Sequence, residues 1–253
     1  MHPRLATLAL LLILCASSPA LVHAQNALRD GAVDTDLLSS DAFQQGHPDL
    51  RFRNWAEDAY RQGDYVKALR MYQSAARYAD KVSQGRVAEM YWAGEGVARD
   101  QALAYAWMDL AAERGYRMLL AIRERYWAEL TAGERERAIE VGQGLYAEYG
   151  DAVAKPRLEK ALFKARRQMT GSRTGSLTGN QTVTSIARGR ANIANATNEG
   201  TTFRAERFYD ETYWKPELYW AWQAKVFDEA SAGKVRVGDL KPVRDDAPGE
   251  DGG

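Results

Sequence analysis

Two nine-residue segments, 36 positions apart, constrain this chain more than any other feature. Ala68-Leu69-Arg70-Met71-Tyr72-Gln73-Ser74-Ala75-Ala76 aligns with Ala104-Tyr105-Ala106-Trp107-Met108-Asp109-Leu110-Ala111-Ala112, with alanines falling on alanines at both ends. The stretches just upstream align as well: Tyr60 with Tyr91 and Gly63 with Gly94, here 31 positions apart. The difference of 5 lies in the connection, from Gly63 to Ala68 in the first copy and from Gly94 to Ala104 in the second. A loop absorbs such an insertion cheaply, because closure entropy grows slowly with length. Apolar and small residues recur at i, i+3, i+4 and i+7 in each stretch, which predicts amphipathic helices. A repeated helix–turn–helix unit of this length predicts a stack of helical pairs sharing one core.

The residues in each unit have readable physical roles. Ala75-Ala76 and Ala111-Ala112 let helices approach closely, while Tyr60, Tyr72, Tyr91 and Trp107 fill the grooves between them. Trp55-Ala56 and Tyr60 are expected to share the buried face of the first helix. Asp100 stands where an N-cap belongs, Gly115 where a left-handed C-cap belongs, and Gly94 and Gly96 suit turn angles that a Cβ penalises.

With these residues in view, the second copy resembles a Sel1-like repeat: small residues ending at Tyr91, the Gly94-Glu95-Gly96-Val97 turn, Asp100, Ala104, Trp107-Met108, Ala111-Ala112 and Gly115. The first copy lacks the Gly-x-Gly-Val turn and is closer to a tetratricopeptide repeat. The resemblance covers roughly residues 53–130. It implies an all-α, right-handed superhelical stack of the α/α type and an adaptor or scaffold role; the spacings themselves imply only a stack with a grooved surface.

Beyond the second copy, 118–130 predicts the first helix of a third, degenerate pair. Thr131 and Glu134 form a capping box for the next helix, which Gly150-Asp151 ends. A basic helix is expected over 157–169. The repeat domain is therefore placed at 50–169. Before it, 25–49 is polar without sustained period and reads as a flexible lead-in, with Ser39, Ser40 or Asp41 capping one short turn at most. After it, 170–202 is rich in Gly, Ser, Thr and Asn and reads as a low-complexity linker. Residues 203–243 form an aromatic-rich segment with an irregular tail, in which Lys234 to Val237 alternates like a strand, and 244–253 read as disordered.

Residues 1–24 have the plan of a secretory signal peptide: His2 and Arg4, an apolar run from Leu8 to Cys15, then Val22-His23-Ala24 with small residues at the cleavage positions. Cleavage is expected after Ala24, giving a periplasmic or secreted protein. The only cysteine and two of the three histidines leave with that peptide, so the remainder has no disulfide, no thiolate and no Cys ligand. Formal net charge is +0, which gives no electrostatic footprint for nucleic acid.

The chemistry-bearing residues do not assemble into a catalytic pattern. Gly94-Glu95-Gly96 fails as a phosphate loop: Arg99 stands where the third glycine belongs, and the turn joins two helices rather than a strand and a helix. His47 lacks the partners that a metal site or triad requires. Glu134, Glu136 and Glu140, or Glu206, Asp210 and Glu211, are the carboxylates from which a glycan-hydrolase pair would be drawn; at helical spacing they read first as a solvated face. No cofactor, metal or catalytic residue is therefore expected.

The function expected is a non-catalytic extracytoplasmic protein–protein interaction module with an unidentified protein partner. The alternative is a cell-envelope glycan hydrolase or an envelope-binding protein, the latter touching the envelope weakly through the basic run Lys155 to Arg167 and the aromatic tail. Glu89, Trp92, Arg123 and Trp127, as the more accessible residues of the first helices, are the candidate partner-binding positions. Trp214, Trp220 and Trp222 join them if the aromatic segment binds a partner rather than folding back on the stack, and folding back is the favoured reading.

Overall fold

The computed structural model describes residues 35–170, 182–185 and 201–231. The signal-peptide region, the Lys234–Val237 alternation and the 244–253 tail lie outside these residues. The described elements are the helices α1 (Thr35–Ser39), α2 (Asp41–Gly46), α3 (Pro48–Arg61), α4 (Tyr65–Ala76), α5 (Lys81–Ala93), α6 (Gln101–Ala111), α7 (Arg117–Glu129), α8 (Ala132–Tyr149), α9 (Asp151–Thr170), α10 (Ala205–Phe208), α11 (Glu211–Trp214) and α12 (Pro216–Ser231). A two-stranded antiparallel ladder, β1 (Thr182–Ser185) with β2 (Thr201–Arg204), flanks part of the stretch expected to be a linker.

The repeat stack is as expected. α3 packs on α4, α5 on α6, and α4 on α5 across the unit boundary. The aligned positions match in conformation: Gly63 and Gly94 both adopt φ +78°, and Ala68, Ala75, Ala76, Ala104 and Ala111 are fully buried. Equivalent N-caps sit 36 residues apart, Asp64 accepting from Lys67 N–H and Asp100 from Leu103 N–H. The Thr131–Glu134 capping box forms in full, and Gly115 adopts the left-handed φ of +74°.

Gly96 serves a closer purpose than turn geometry. Its φ is +70°, and a Cβ added there would lie 2.5 Å from the carbonyl carbon of Tyr65. The long turn of the second unit thus presses backbone to backbone on the start of α4. Tyr60 ties it down from α3, donating its hydroxyl to Glu95 at 2.7 Å. At Gly115, by contrast, an added Cβ meets nothing within 4 Å. Gly115→Ala should therefore cost only the left-handed penalty, about 1–2 kcal/mol, and Gly96→Ala about 1–3 kcal/mol more for the overlap. Urea midpoints of the two variants check this; equal losses would contradict the close approach.

The third pair differs from the first two. α8 packs chiefly along α6 rather than folding onto α7. From its end, α9 turns back across α2 and α3, towards the start of the fold. That return builds a second core. Leu37 and Phe43 from the expected lead-in, Leu50 from α3, Leu158 and Leu162 from α9, and Phe208, Trp214 and Tyr219 from the aromatic segment are buried together. The flexible lead-in is thus corrected over 35–49. Two short helices form there, the second capped by the Ser40 hydroxyl, because distant apolar side chains cover them.

Candidate interaction surface

The aromatic segment folds back on the chain. Trp214 is 2% exposed and donates its indole N–H to the Phe208 carbonyl at 2.6 Å. Its ring covers Gly46, where a Cβ would come within 2.5 Å of it. Phe227 stacks on Tyr116 at 4.1 Å, joining α12 to the repeat core. Trp220 donates to Glu159 at 2.9 Å, with Arg114 and Lys155 beside its ring. Trp222 packs on Tyr213 and Tyr219 and lines a partly open pocket of about 20 Å³ with Arg53, Asp80 and Phe227, room for one water molecule. As a partner-binding residue Trp214 is corrected to core; Trp220 and Trp222 are half-buried in the same seam.

The first-helix candidates separate. Glu89 is not accessible: its side chain is 11% exposed and pairs with Arg86 at 2.7 Å. Burial, opposed by Arg86, pushes its carboxyl up to about 7. Trp92 lies flat on Tyr126 at 3.9 Å. Arg123 reaches Asp109 at 3.3 Å and Glu124 at 2.5 Å. Trp127 is held between Tyr105 and the guanidinium of Arg135. The four lie on α5 and α7, and intramolecular partners engage each of them.

The residues weighed for chemistry have structural partners too. The carboxylate of Glu134 closes its capping box, Asp210 caps α11, and Glu211 pairs with Lys215. Asp100 carries a bidentate ion pair with Arg137, at 2.7 and 2.6 Å, in an open polar depression beside Glu134. In the basic helix, Lys155 pairs with Asp151, and Arg157 donates to the carbonyls of Arg77 and Glu148. No group of three or more potential metal ligands occurs among the described residues, and no helix among them is long and apolar enough to cross a membrane.

Two buried polar nodes hold the seams. In the first, Lys81 is 0% exposed at its side chain and donates to Gln84, the Leu110 carbonyl and Glu113, with Asp151 at 3.1 Å. Arg114 reaches Asp151 through two hydrogen bonds, at 2.7 and 3.0 Å, and also donates to the Ala79 carbonyl and Gln223. Burial opposes ionisation of Asp151, but the hydrogen bonds and charges of Arg114, Lys81 and Lys155 outweigh it and hold the carboxyl well below its usual range.

In the second node, His47 and Asp49 meet the aromatic segment. The His47 ring stacks on Phe43 at 4.0 Å, with Nδ1 3.0 Å from the Phe43 carbonyl oxygen and Nε2 2.9 Å from that of Tyr213. Burial pulls the ring down to about 4, against both carbonyls. It is therefore neutral at pH 7 and donates to only one of them. Tyr219 donates its hydroxyl to Asp49 at 2.5 Å, and burial pushes Asp49 up to about 7.

These shifts act in opposite senses. Asp49, raised in the fold, contributes stability that is full below pH 4 and is lost as pH rises towards 7. His47, lowered in the fold, contributes stability that is lost as pH falls from about 6.5 to 4. The stability of the unmodified chain relative to Asp49→Asn should therefore fall steadily between pH 4 and 7. Urea titrations at four pH values test this, and a difference independent of pH would rule it out.

Sequence reasoning missed the exposed part of the first pair. Trp55, expected on the buried face with Ala56, is 47% exposed. It sits edge-on to Phe52 at 5.6 Å, and Phe52 faces Tyr78 across at 6.2 Å. Arg51 lies over both Phe52 and Trp55, at 5.1 and 5.4 Å. The one available signal was that Ala56 and Ala59 already fill the buried face, which turns position 55 outward.

No family model matches the chain, and no curated protein matches it. Among solved structures it is similar to a protective antigen of uropathogenic Escherichia coli, whose crystal structure displays an SLR, or Sel1-like repeat, fold. The likeness is one of fold. Identity is 22%, the TM-score is 0.41, and the match covers 64% of this chain and 35% of the other, so the chain spans about a third of that protein's length. The all-α repeat stack itself rests on the packing of α3 to α6 described above.

Proposed function

We propose that the protein is a non-catalytic interaction module, an adaptor or scaffold working outside the cytoplasm. The observation carrying this reading is the exposed first helical pair, where Trp55, Tyr65 and Val66 are 47%, 38% and 57% exposed on a rigid repeat frame. Most of the titratable side chains weighed above are spent on caps and seams. Exposed Trp and Tyr side chains are the usual anchors of protein partners. The charged, apolar and small-residue order of positions 1–24 supports export. An all-helical stack that buries its small residues leaves side-chain identity on the outer turns free to specify a partner.

Crosslinking of the tagged full chain in its own cell envelope, followed by mass spectrometry, tests the proposal. Reproducible protein partners, lost when export is blocked, are expected. Zymography on peptidoglycan tests the rival: clear lysis abolished by a single Glu→Gln change would sink the module reading and favour a glycan hydrolase. Salt-sensitive pelleting with sacculi, without protein partners, would favour an envelope binder.

A further inference from the structure

We infer that the face formed by Arg51, Phe52 and Trp55 of α3 and Tyr78 just beyond α4 is a docking surface for an acidic peptide, one presenting a carboxylate beside an apolar or aromatic side chain. The inference rests on the interaction-module reading and names the partner chemistry for it.

Arg51 carries the argument. Most other partly buried cations of this fold have a carboxylate: Arg53 has Asp80, Lys81 has Glu113 and Asp151, Arg86 has Glu89, and Arg114 has Asp151. Among the described residues the guanidinium of Arg51 has none. Its Nε is buried without a hydrogen-bond partner among the described residues, and the group lies over the faces of Phe52 and Trp55. A guanidinium stacked on rings keeps its donors in its own plane, and with Nε buried it is the two terminal Nη groups, fixed in direction, that meet a planar carboxylate. The rings that hold it there are themselves accessible, so an incoming peptide meets an oriented cation and an aromatic surface together. Arg51 already occupies part of the ring faces, which favours a carboxylate with an apolar neighbour over a sugar that needs a free ring face.

The test is panning of a random dodecapeptide phage library on the full chain, with counter-selection on Trp55→Ala. Clones specific for the unmodified chain should be enriched in Asp or Glu next to an aliphatic or aromatic residue. Synthetic versions of those peptides should bind about ten-fold or more weakly to Arg51→Gln and to Trp55→Ala. Binding to Ile139→Ala, an exposed apolar position on α8, should be unchanged. Circular dichroism confirms the fold of each variant, and Arg51→Lys, which keeps the charge but loses the planar fork and should also bind more weakly, carries the comparison if Arg51→Gln does not fold.

No discriminating clones, or clones without acidic enrichment, would overturn the inference. So would pelleting with sacculi or self-association that Trp55→Ala abolishes, since the occupant would then be a glycan or a second copy. If crosslinking in the envelope still recovers protein partners while this test fails, the module reading stands and only this surface is wrong.

Discussion

Asp151→Ala should lower stability by about 3–5 kcal/mol, the usual cost of leaving buried cations without their counter-charge. The carboxylate is shared by Lys81, whose side chain is fully buried, and Arg114, whose side chain is 10% exposed. Lys81 retains Glu113 after the change, which favours the lower part of that range. The pair is not irreplaceable. Lys81→Met combined with Asp151→Ala removes a cation and an anion together, and an apolar side chain of similar volume is tolerated at such sites. The double variant should thus be more stable than the sum of the single losses, with a coupling above about 1 kcal/mol. Acid provides a second readout. Because Asp151 is held below its ordinary range, its stabilisation is present above pH 4 and is lost as pH falls through the folded value. Asp151→Asn should therefore flatten the acid limb of the stability curve. Additive single losses, or an unchanged acid limb, would show that the node contributes little.

Trp214→Ala should cost about 3–5 kcal/mol, as large aromatic truncations in a core do. The loss should be spread over segments far apart in sequence. Trp214 contacts Phe43, His47 and Phe208, and covers Gly46. Removing it exposes both α2 and α10–α12. Hydrogen exchange should accelerate together in 41–50 and 208–227, and much less in α5 and α6, whose alanine-based contacts do not involve it. Gly46→Val approaches the same seam from the other side, by pushing the ring out, and should give the same exchange pattern. Faster exchange confined to 208–227 would mean that the lead-in helices stand without the aromatic segment, contrary to their shared core.

These two seams mark where sequence reading stopped. The repeat was legible because its signals are local: alanines three and four apart, Asp100 as a cap, the Thr131–Glu134 box and a left-handed Gly115. Each is decided by neighbours within a turn or two. The lead-in was not legible, because α1 and α2 have 5 and 6 residues. That is too short for a helical period to register, and their burial is settled by Trp214 and Tyr219, more than 150 positions away. Glu89 misled for a related reason. A glutamate three residues after an arginine on a helix reads as half of a solvated pair, and the rings of Tyr60 and Tyr72 that cover Arg86 meet it only in three dimensions. Trp55 erred the other way, since a tryptophan beside a buried alanine is naturally assigned to the core.

The shared core of α2, α9 and α11–α12 changes how the molecule should come apart. An open array of repeats contacts only its neighbours and loses its terminal units first. Here Leu37 of the first described helix and Tyr219 of the last belong to one buried cluster, so neither end is free to peel. Denaturation should appear as a single cooperative step with no plateau, and inserting an extra helical pair between α4 and α5 should be poorly tolerated, because it would pull apart the two ends that the fold joins.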